Sequence, residues 1–312
     1  MASLRLTATP DTPYKLSTHR HWVFKSAGDL DAAREARREV LSQKRKKQSS
    51  SSAANKTLAL KEEMVLLLHF QRKLMEACMT IKDTNGNHIH ETVEATALVY
   101  FKRYYMRHRI CKANNPFDTI LACLLLAGKT EEQREPLVLY KICASLSYDY
   151  ETKKDELLAK ELELLNALDF KLRVYHPYGP MRSLMRKFMT TIDGEFEASE
   201  AFEEHVRGIV RLAMLSDCPF LFSPGQIALA ALELACTHRS SAFNHLNAPY
   251  SKFVETILVN GAQPESTGYL QSKLFKVIEK AKQQITEARE VPDRHSVIEL
   301  CASVDMFLPG SR

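Results

Sequence analysis

Residues Asn115 to Gln133 read NPFDTILACLLLAGKTEEQ, and this stretch decides how the chain is organised. Asn115 suits a helix N-cap, Pro116 the first helical position, and Asp118 the positively polarised first turn. From Phe117 to Gly128 only Asp118 is charged. A helix apolar on every side is buried on every side. It is too short for a membrane span, which needs about 20 apolar residues. Ala122, Cys123, Ala127 and Gly128 are small enough for neighbouring helices to pack close. The apolar run stops at Lys129, with Glu131 and Glu132 behind it. A central helix therefore pushes a charged cluster out of one end of a helical domain.

The 312 residues give room for two domains. With 10 glycines and 12 prolines against abundant Leu, Ala, Glu and Lys, helices are favoured over sheets. The net charge of +5 permits weak contact with an acidic partner and does not demand nucleic acid. Seven cysteines, an odd number without paired spacing, read as free thiols of a reducing compartment. Neither a signal peptide nor a transmembrane run is expected.

Upstream lies an N-terminal segment, residues 1–56. His21-Trp22-Val23-Phe24 carries the one tryptophan. Ser26 and Asp29 form a capping box that opens a highly charged helix over about 28–43. Trp22 and Phe24 are its candidate anchors, and plugging the protein's own surface outweighs docking a partner. Lys44-Arg45-Lys46-Lys47 runs into Ser49–Ser52 and reads as a linker, with a nuclear import signal or a phosphate contact as the sharper alternatives.

From Leu58 the apolar spacing turns helical. A second helix spans Glu91 to about Met106, with Val93, Ala97, Tyr100, Phe101 and Tyr104 on one stripe and Lys102 and Arg103 off it. The central helix is third, residues 137–146 a short fourth, and Thr152 to about Phe170 the fifth. On that fifth helix Leu157, Leu158, Leu162, Leu165 and Leu168 form the apolar stripe, while Lys160 and Glu163 point away. Glu161 lies inside the stripe. An unpaired buried carboxylate costs several kcal/mol or more, so Glu161 needs a wet end or a cation. Lys129 is the obvious one.

Val174-Tyr175-His176-Pro177-Tyr178-Gly179-Pro180 breaks the pattern. A second set of helices follows, at about 180–190, 197–216, 224–237, 249–259 and 268–289. A C-terminal segment, 291–312, holds a candidate closing helix. Placing Pro116 on Pro224 lays PFDTILACLLLAG over PGQIALAALELAC without a gap. Each half thus has its own uncharged central helix, third of five, and the chain reads as two copies of one bundle. Lys129 falls on Thr237, and Glu233 interrupts the second apolar run. If the charged cluster is a site, the first copy alone carries it.

Enzyme signatures fail one by one. Gly128-Lys129-Thr130 lacks the upstream glycine of a phosphate loop, Cys123 standing there. His108-Arg109-Ile110 and Asp169-Phe170-Lys171 lack the aspartate and glycine of the kinase motifs. Cysteines and histidines show no zinc spacing. The pattern is that of a binding module without catalytic residues, cofactor or metal.

Two five-helix repeats, the first closing its central helix with a lysine and two acids, resemble the cyclins from about Ser17 to about Leu300. Ala95-Thr96-Ala97-Leu98-Val99-Tyr100-Phe101-Lys102-Arg103-Tyr104-Tyr105 is similar to the second helix of transcription-type cyclins. His21–Phe24 with its charged helix, Pro224–Leu229 and Tyr14–Thr18 resemble the cyclin H branch, in its fungal form. Val174–Tyr178 is also similar to the cyclin C branch. The resemblance implies an all-α fold of two tandem cyclin boxes, 57–175 and 176–290, and a non-catalytic subunit that activates a cyclin-dependent kinase. Lys129 and Glu161 match the family's kinase-contacting lysine and glutamate, with Glu131 and Glu132 beside them. The implied partners are a cyclin-dependent kinase catalytic subunit, the RING-finger assembly subunit of the CDK-activating kinase, and transcription factor IIH. Kinase activation loops and the RNA polymerase II tail are the implied targets, in the nucleus. Cell-cycle cyclins hold a substrate-docking tryptophan in their first helix. Here that region reads Leu68-His69-Phe70-Gln71, which puts such docking in doubt. The alternatives are a cyclin C-like subunit of the Mediator kinase and, ranked lower, a DNA-contacting cyclin-box factor. A thiol enzyme, a further class, requires a depressed cysteine pKa in a cleft.

Overall fold

The structure is a computed structural model that describes residues 17–48, 58–80, 82, 86, 88–111, 114–132, 150–191, 199–238, 241–261, 267–288, 290–304 and 306. A 3-10 turn, Thr18–Trp22, precedes α1 (Ala27–Gln48), α2 (Leu60–Thr80), α3 (Glu91–Tyr105), α4 (Pro116–Thr130) and α5 (Tyr150–Ala167). Then come α6 (Tyr178–Met189), α7 (Ser199–Leu215), the one-turn α8 (Cys218–Leu221) and α9 (Pro224–Thr237). A 3-10 turn, Asn244–Leu246, leads to α10 (Asn247–Gly261), α11 (Thr267–Glu287) and α12 (Arg294–Ser303). The described residues contain helices and two isolated β-bridges, and no strand. The short helix expected at 137–146 lies outside them.

The two central helices start as the sequence demands. Asn115 Oδ1 accepts from the Phe117 amide at 3.1 Å ahead of Pro116. Before Pro224, Ser223 and Gln226 close a capping box, the Ser223 amide donating to Gln226 Oε1 at 2.8 Å. Each cap satisfies amides that the first turn leaves unbonded. Every residue of α9 from Ile227 to Cys236 is buried. In α4 the run Thr119–Leu124 is buried, with Leu126 and Ala127.

The chain divides into two compact units. One holds Phe24–Val174 together with the chain from Val291 onward. Within it α4 packs between α3 and α5 and also touches α2, while α12 packs on α2. The other unit holds the chain up to Val23 and Tyr175–Glu290. There α9 is the hub, packed by α6, α7, α10 and α11. His19 and Tyr175 meet edge to face within this unit, ring centroids 5.9 Å apart.

The charged helix is longer than expected. α1 runs on through the basic residues to Gln48, where composition suggested a linker from 44 onward. Lys, Arg and Gln are good helix formers and continue a turn already nucleated. α1 is fastened by Leu30, fully buried, and by Arg37. The Arg37 guanidinium grips both Glu63 oxygens, at 2.6 and 3.1 Å, and donates to the Tyr105 and His108 carbonyls at 2.7 and 2.6 Å. The Arg37 and Glu63 side chains are 8% and 5% exposed. A dry, two-pronged pair of this kind is geometrically demanding, so it fixes how α1 lies on α2 and on the end of α3.

α3 departs from its expected stripe. Lys102 and Arg103, expected off the apolar face, are 6% and 0% exposed. The helix is buried from Val93 to Tyr105, and Arg103 Nη1 donates to the Lys171 carbonyl at 3.1 Å. A long aliphatic stem lets arginine cross the core and satisfy a carbonyl beyond it.

Candidate functional site at the charged end of the first central helix

Lys129 ends α4 and Glu161 lies in the middle of α5, and the structure brings them together. Lys129 Nζ donates to Glu161 Oε1 at 2.7 Å and to Oε2 at 2.8 Å. The two side chains differ sharply in environment: 55% exposed for Lys129, 9% for Glu161. The carboxylate is thus neutralised from within the chain, and the ammonium stands at the surface. An ammonium has three protons. Two face Glu161, which leaves a donor directed outward.

The acids behind Lys129 divide. Glu131 caps the end of α4, its amide bonded to the Ala127 carbonyl at 2.9 Å, and its Oε1 accepts from Thr96 Oγ1 at 2.7 Å. Glu132 is exposed and holds a left-handed backbone, φ 55°. Of the two aromatic anchors, Trp22 is 6% exposed, in the unit of the second repeat. Phe24 is half-buried, in the unit of the first.

α5 is rotated relative to the expected stripe. Leu158 and Leu162 are 49% and 57% exposed. Leu157, Glu161 and Leu168 are buried as expected, and Lys160, Leu164 and Ala167 are buried beside them. Two leucine rows compete on this helix, and the helices packed against it decide between them. Lys160, expected to point away, is 8% exposed. Its Nζ donates to Tyr104 Oη at 2.6 Å and Glu163 Oε2 at 3.0 Å, 4.7 Å from the Tyr104 ring centroid. Tyr104 Oη in turn donates to Glu163 Oε1 at 2.5 Å. Burial, and then the Glu163 carboxylate, hold the Tyr104 hydroxyl far above the usual range. Lys160 is thus absorbed in an internal network, whereas Lys129 is not. The exposed leucines at 158 and 162 were missed in the sequence. They share a face of α5 with Glu161 by i, i+3 and i+4 spacing.

Burial pushes the Cys236 thiol up to about 12 and the Cys301 thiol up to about 11, and raises that of Cys123 as well. A nucleophilic thiol needs the opposite shift. Among the described residues no group of three or more His, Cys, Asp or Glu side chains is placed to hold a metal ion. No described helix is long and apolar enough to cross a membrane.

Comparison with known proteins identifies the family. Residues 45–173 match the cyclin N-terminal domain and residues 176–286 the cyclin C-terminal domain. The chain is 30% identical to Cyclin-H1-1 of Arabidopsis thaliana over 183 residues, 58% of this chain and 51% of that protein. To Cyclin-C1-1 of Oryza sativa subsp. japonica it is 30% identical over 207 residues, 64% of this chain and 72% of the relative. Cyclin-H of Xenopus laevis is 26% identical over 225 residues, covering 70% and 67%. Among solved structures, a chain of the Chaetomium thermophilum CAK complex bound to ATP-γ-S superposes with a TM-score of 0.75 at 22% identity, over 97% of this chain and 91% of that one. A chain of the yeast TFIIK complex superposes with a TM-score of 0.64 at 18% identity, over 89% and 100%. Tandem cyclin domains fill most of the sequence, and the chain belongs to the cyclin family.

Proposed function

We propose that this cyclin binds and activates a cyclin-dependent kinase through the first repeat, and that the kinase is the CDK-activating kinase. One observation carries the reading. Lys129 stands half in water on the buried carboxylate of Glu161, and on the helix of Glu161 the leucines three residues before it and one after it are exposed. Solvated ammonium and apolar ridge together form a surface that can hold the end of a partner helix. Lys129 supplies its remaining donor, and its charge, to the C-terminal carbonyl end of that helix, and Leu158 and Leu162 supply apolar area.

Kinase catalysis needs a helix-borne glutamate paired with the phosphate-binding lysine. A cyclin that binds the swung-in position of that helix better than the swung-out one shifts the kinase toward its active state by the difference in affinity. The cyclin moves no atom of substrate. Lys129 and Glu161 act as the clasp, with Glu132 at its rim. The resemblance to cyclin H proteins, and to chains of the CAK and TFIIK complexes, supports the further reading. In it a RING-finger subunit is the third member, transcription factor IIH the larger assembly, and kinase activation loops and the RNA polymerase II tail the targets, in the nucleus. The rice cyclin C relative supports a second reading, a subunit of the Mediator kinase.

A pull-down from nuclear extract with the wild-type chain, Lys129→Ala and Glu161→Ala tests the site. The wild type is expected to retain an active kinase and both variants to lose most of it. Equal kinase activity on all three overturns the assignment. Mass spectrometry of the retained kinase separates the two readings.

A further inference from the structure

α3 is buried through most of its length, yet it carries a row of polar side chains at helical spacing: Thr96, Tyr100 and Arg103. All three are 0% exposed. Buried hydroxyls and guanidinium groups cost free energy unless they are bonded, and valine and phenylalanine would fill the first two places without that cost. Four bonds made by the row reach two neighbouring stretches, the end of α4 and the chain just after α5. Thr96 Oγ1 donates to Glu131 Oε1 at 2.7 Å. Tyr100 Oη donates to the Leu172 carbonyl at 2.7 Å and lies 3.3 Å from Thr130 Oγ1. Arg103 Nη1 donates to the Lys171 carbonyl at 3.1 Å. Thr130 and Glu131 immediately follow Lys129. Lys171 and Leu172 belong to the strap that leaves α5, the helix of Glu161.

We infer that this row is the positioning device of the kinase-docking surface: it ties the end of α4 and the strap after α5 to one rigid helix, and so fixes where the Lys129 ammonium points. In this arrangement Glu131 is an acceptor inside the brace. The inference rests on the docking reading above and extends it to residues the kinase never touches.

The test is a double-mutant cycle with the full-length chain. Affinity for the isolated catalytic subunit of the CDK-activating kinase is measured beside thermal stability. Thr96→Val keeps the shape and removes the donor, Thr96→Ser keeps the donor, and Tyr100→Phe removes the second tie. Thr96→Val and Tyr100→Phe are each expected to weaken kinase binding roughly fivefold, at the lower end of couplings between connected residues, with Thr96→Ser close to wild type. In a Lys129→Met background the effect of Thr96→Val on binding disappears while its effect on stability persists. Glu131→Gln, which still accepts from Thr96, retains binding that Glu131→Ala loses. Should Thr96→Val weaken binding equally with and without Lys129, or leave it untouched, the positioning role is wrong. If Lys129→Met itself binds as wild type, the docking reading has failed, and this inference with it. If Thr96→Val does not fold, Tyr100→Phe and the two Glu131 variants decide.

Discussion

Each repeat sets a glutamate against a lysine between its central helix and its last helix, with the signs exchanged. In the first repeat the lysine is on α4 and the glutamate on α5. In the second, Glu233 is on α9 and Lys282 on α11. The second pair is closed: Glu233 Oε1 accepts from Lys282 at 2.8 Å and Oε2 from Tyr250 Oη at 3.0 Å. Their side chains are 18% exposed for Lys282 and 9% for Glu233, and Lys282 is bonded a second time, to Glu279 at 2.7 Å. The first pair is open, its lysine 55% exposed. The offset that lays Pro116 on Pro224 puts Glu233 on Leu125, one turn before Lys129. One turn deeper, an ion pair is sealed by the bundle and serves only the bundle. At the helix end it keeps a face toward water and is free to engage something else.

The largest effect is expected at the closed pair. Lys282→Met strands Glu233 in the core with a tyrosine as its one named donor, and should cost about 3 kcal/mol of stability, read by chemical denaturation. At temperatures where the variant stays folded, kinase affinity should not change. A stable Lys282→Met variant that binds kinase weakly would break the comparison, because both pairs would then be docking sites.

The open pair should answer in reverse. Lys129→Met leaves the Glu161 carboxylate, 9% exposed, without its cation and should cost stability. The loss should be smaller than for Lys282→Met, about 1–2 kcal/mol, because the half-exposed position of the lost ammonium admits water to the carboxylate. It should weaken the kinase complex at least tenfold, about 1.4 kcal/mol, measured by titration calorimetry. A stability loss matching that of Lys282→Met would make the first pair a structural lock as well.

Leu158 and Leu162 sharpen the contrast on the apolar side. If they belonged to the core, truncating either would cost roughly 2–5 kcal/mol. Exposed at 49% and 57%, each changed to serine should alter stability by under about 0.5 kcal/mol. The double variant should reduce kinase affinity roughly fivefold, a modest rim-to-core loss for an interface.

Much of this was legible in the residues. The buried central helices, their proline starts, the repeat and the pairing of Lys129 with Glu161 all follow from local rules. Caps, the absence of charge and the cost of an unpaired carboxylate are properties of single residues and short spacings. The rotation of α5 was not legible, because Leu158 and Leu162 lie on as good a helical row as Leu157, Leu164 and Leu168. Only the neighbours choose between two rows of equal hydrophobicity. Lys102, Arg103 and Lys160 were misread for a related reason. A long cationic side chain is placed outside by composition, yet a tyrosine or carbonyl across the core satisfies Lys160 and Arg103, and those partners lie 56 and 68 residues away along the chain. The linker at 44–52 was read from its basic and serine composition; residues 44–48 are helical instead, because helix continuation depends on propensity, and the serine tract lies outside the described residues.

The smallest effect lies in the pH dependence, and it again separates the repeats. Burial lowers the pKa of His108 below its ordinary 6.5, against the opposing pull of the Tyr104 carbonyl and Glu163 and with help from Lys160 and Arg107. Burial, and then Lys73, lower that of His69. Both lie in the unit of the first repeat. A histidine whose folded pKa is depressed binds fewer protons folded than unfolded, so its contribution is complete above pH 6.5 and is lost as pH falls through the folded value. Lys282 works at the other end. Although burial opposes it, the Glu233 and Glu279 bonds raise its pKa above 10.5, so its contribution is complete below that value and is lost only as pH rises through the folded pKa. Asp169, held below 3.8 by the Arg107 guanidinium, titrates further down still. Between pH 6.5 and 5 the first repeat should therefore loosen while the second holds. Hydrogen exchange, corrected for intrinsic rates, should show protection falling in α2 and α3 and not in α9. His69→Gln with His108→Gln should flatten that loss, since glutamine cannot take up the proton. An unchanged slope in the double variant would place the acid sensitivity elsewhere and remove this distinction between the two bundles.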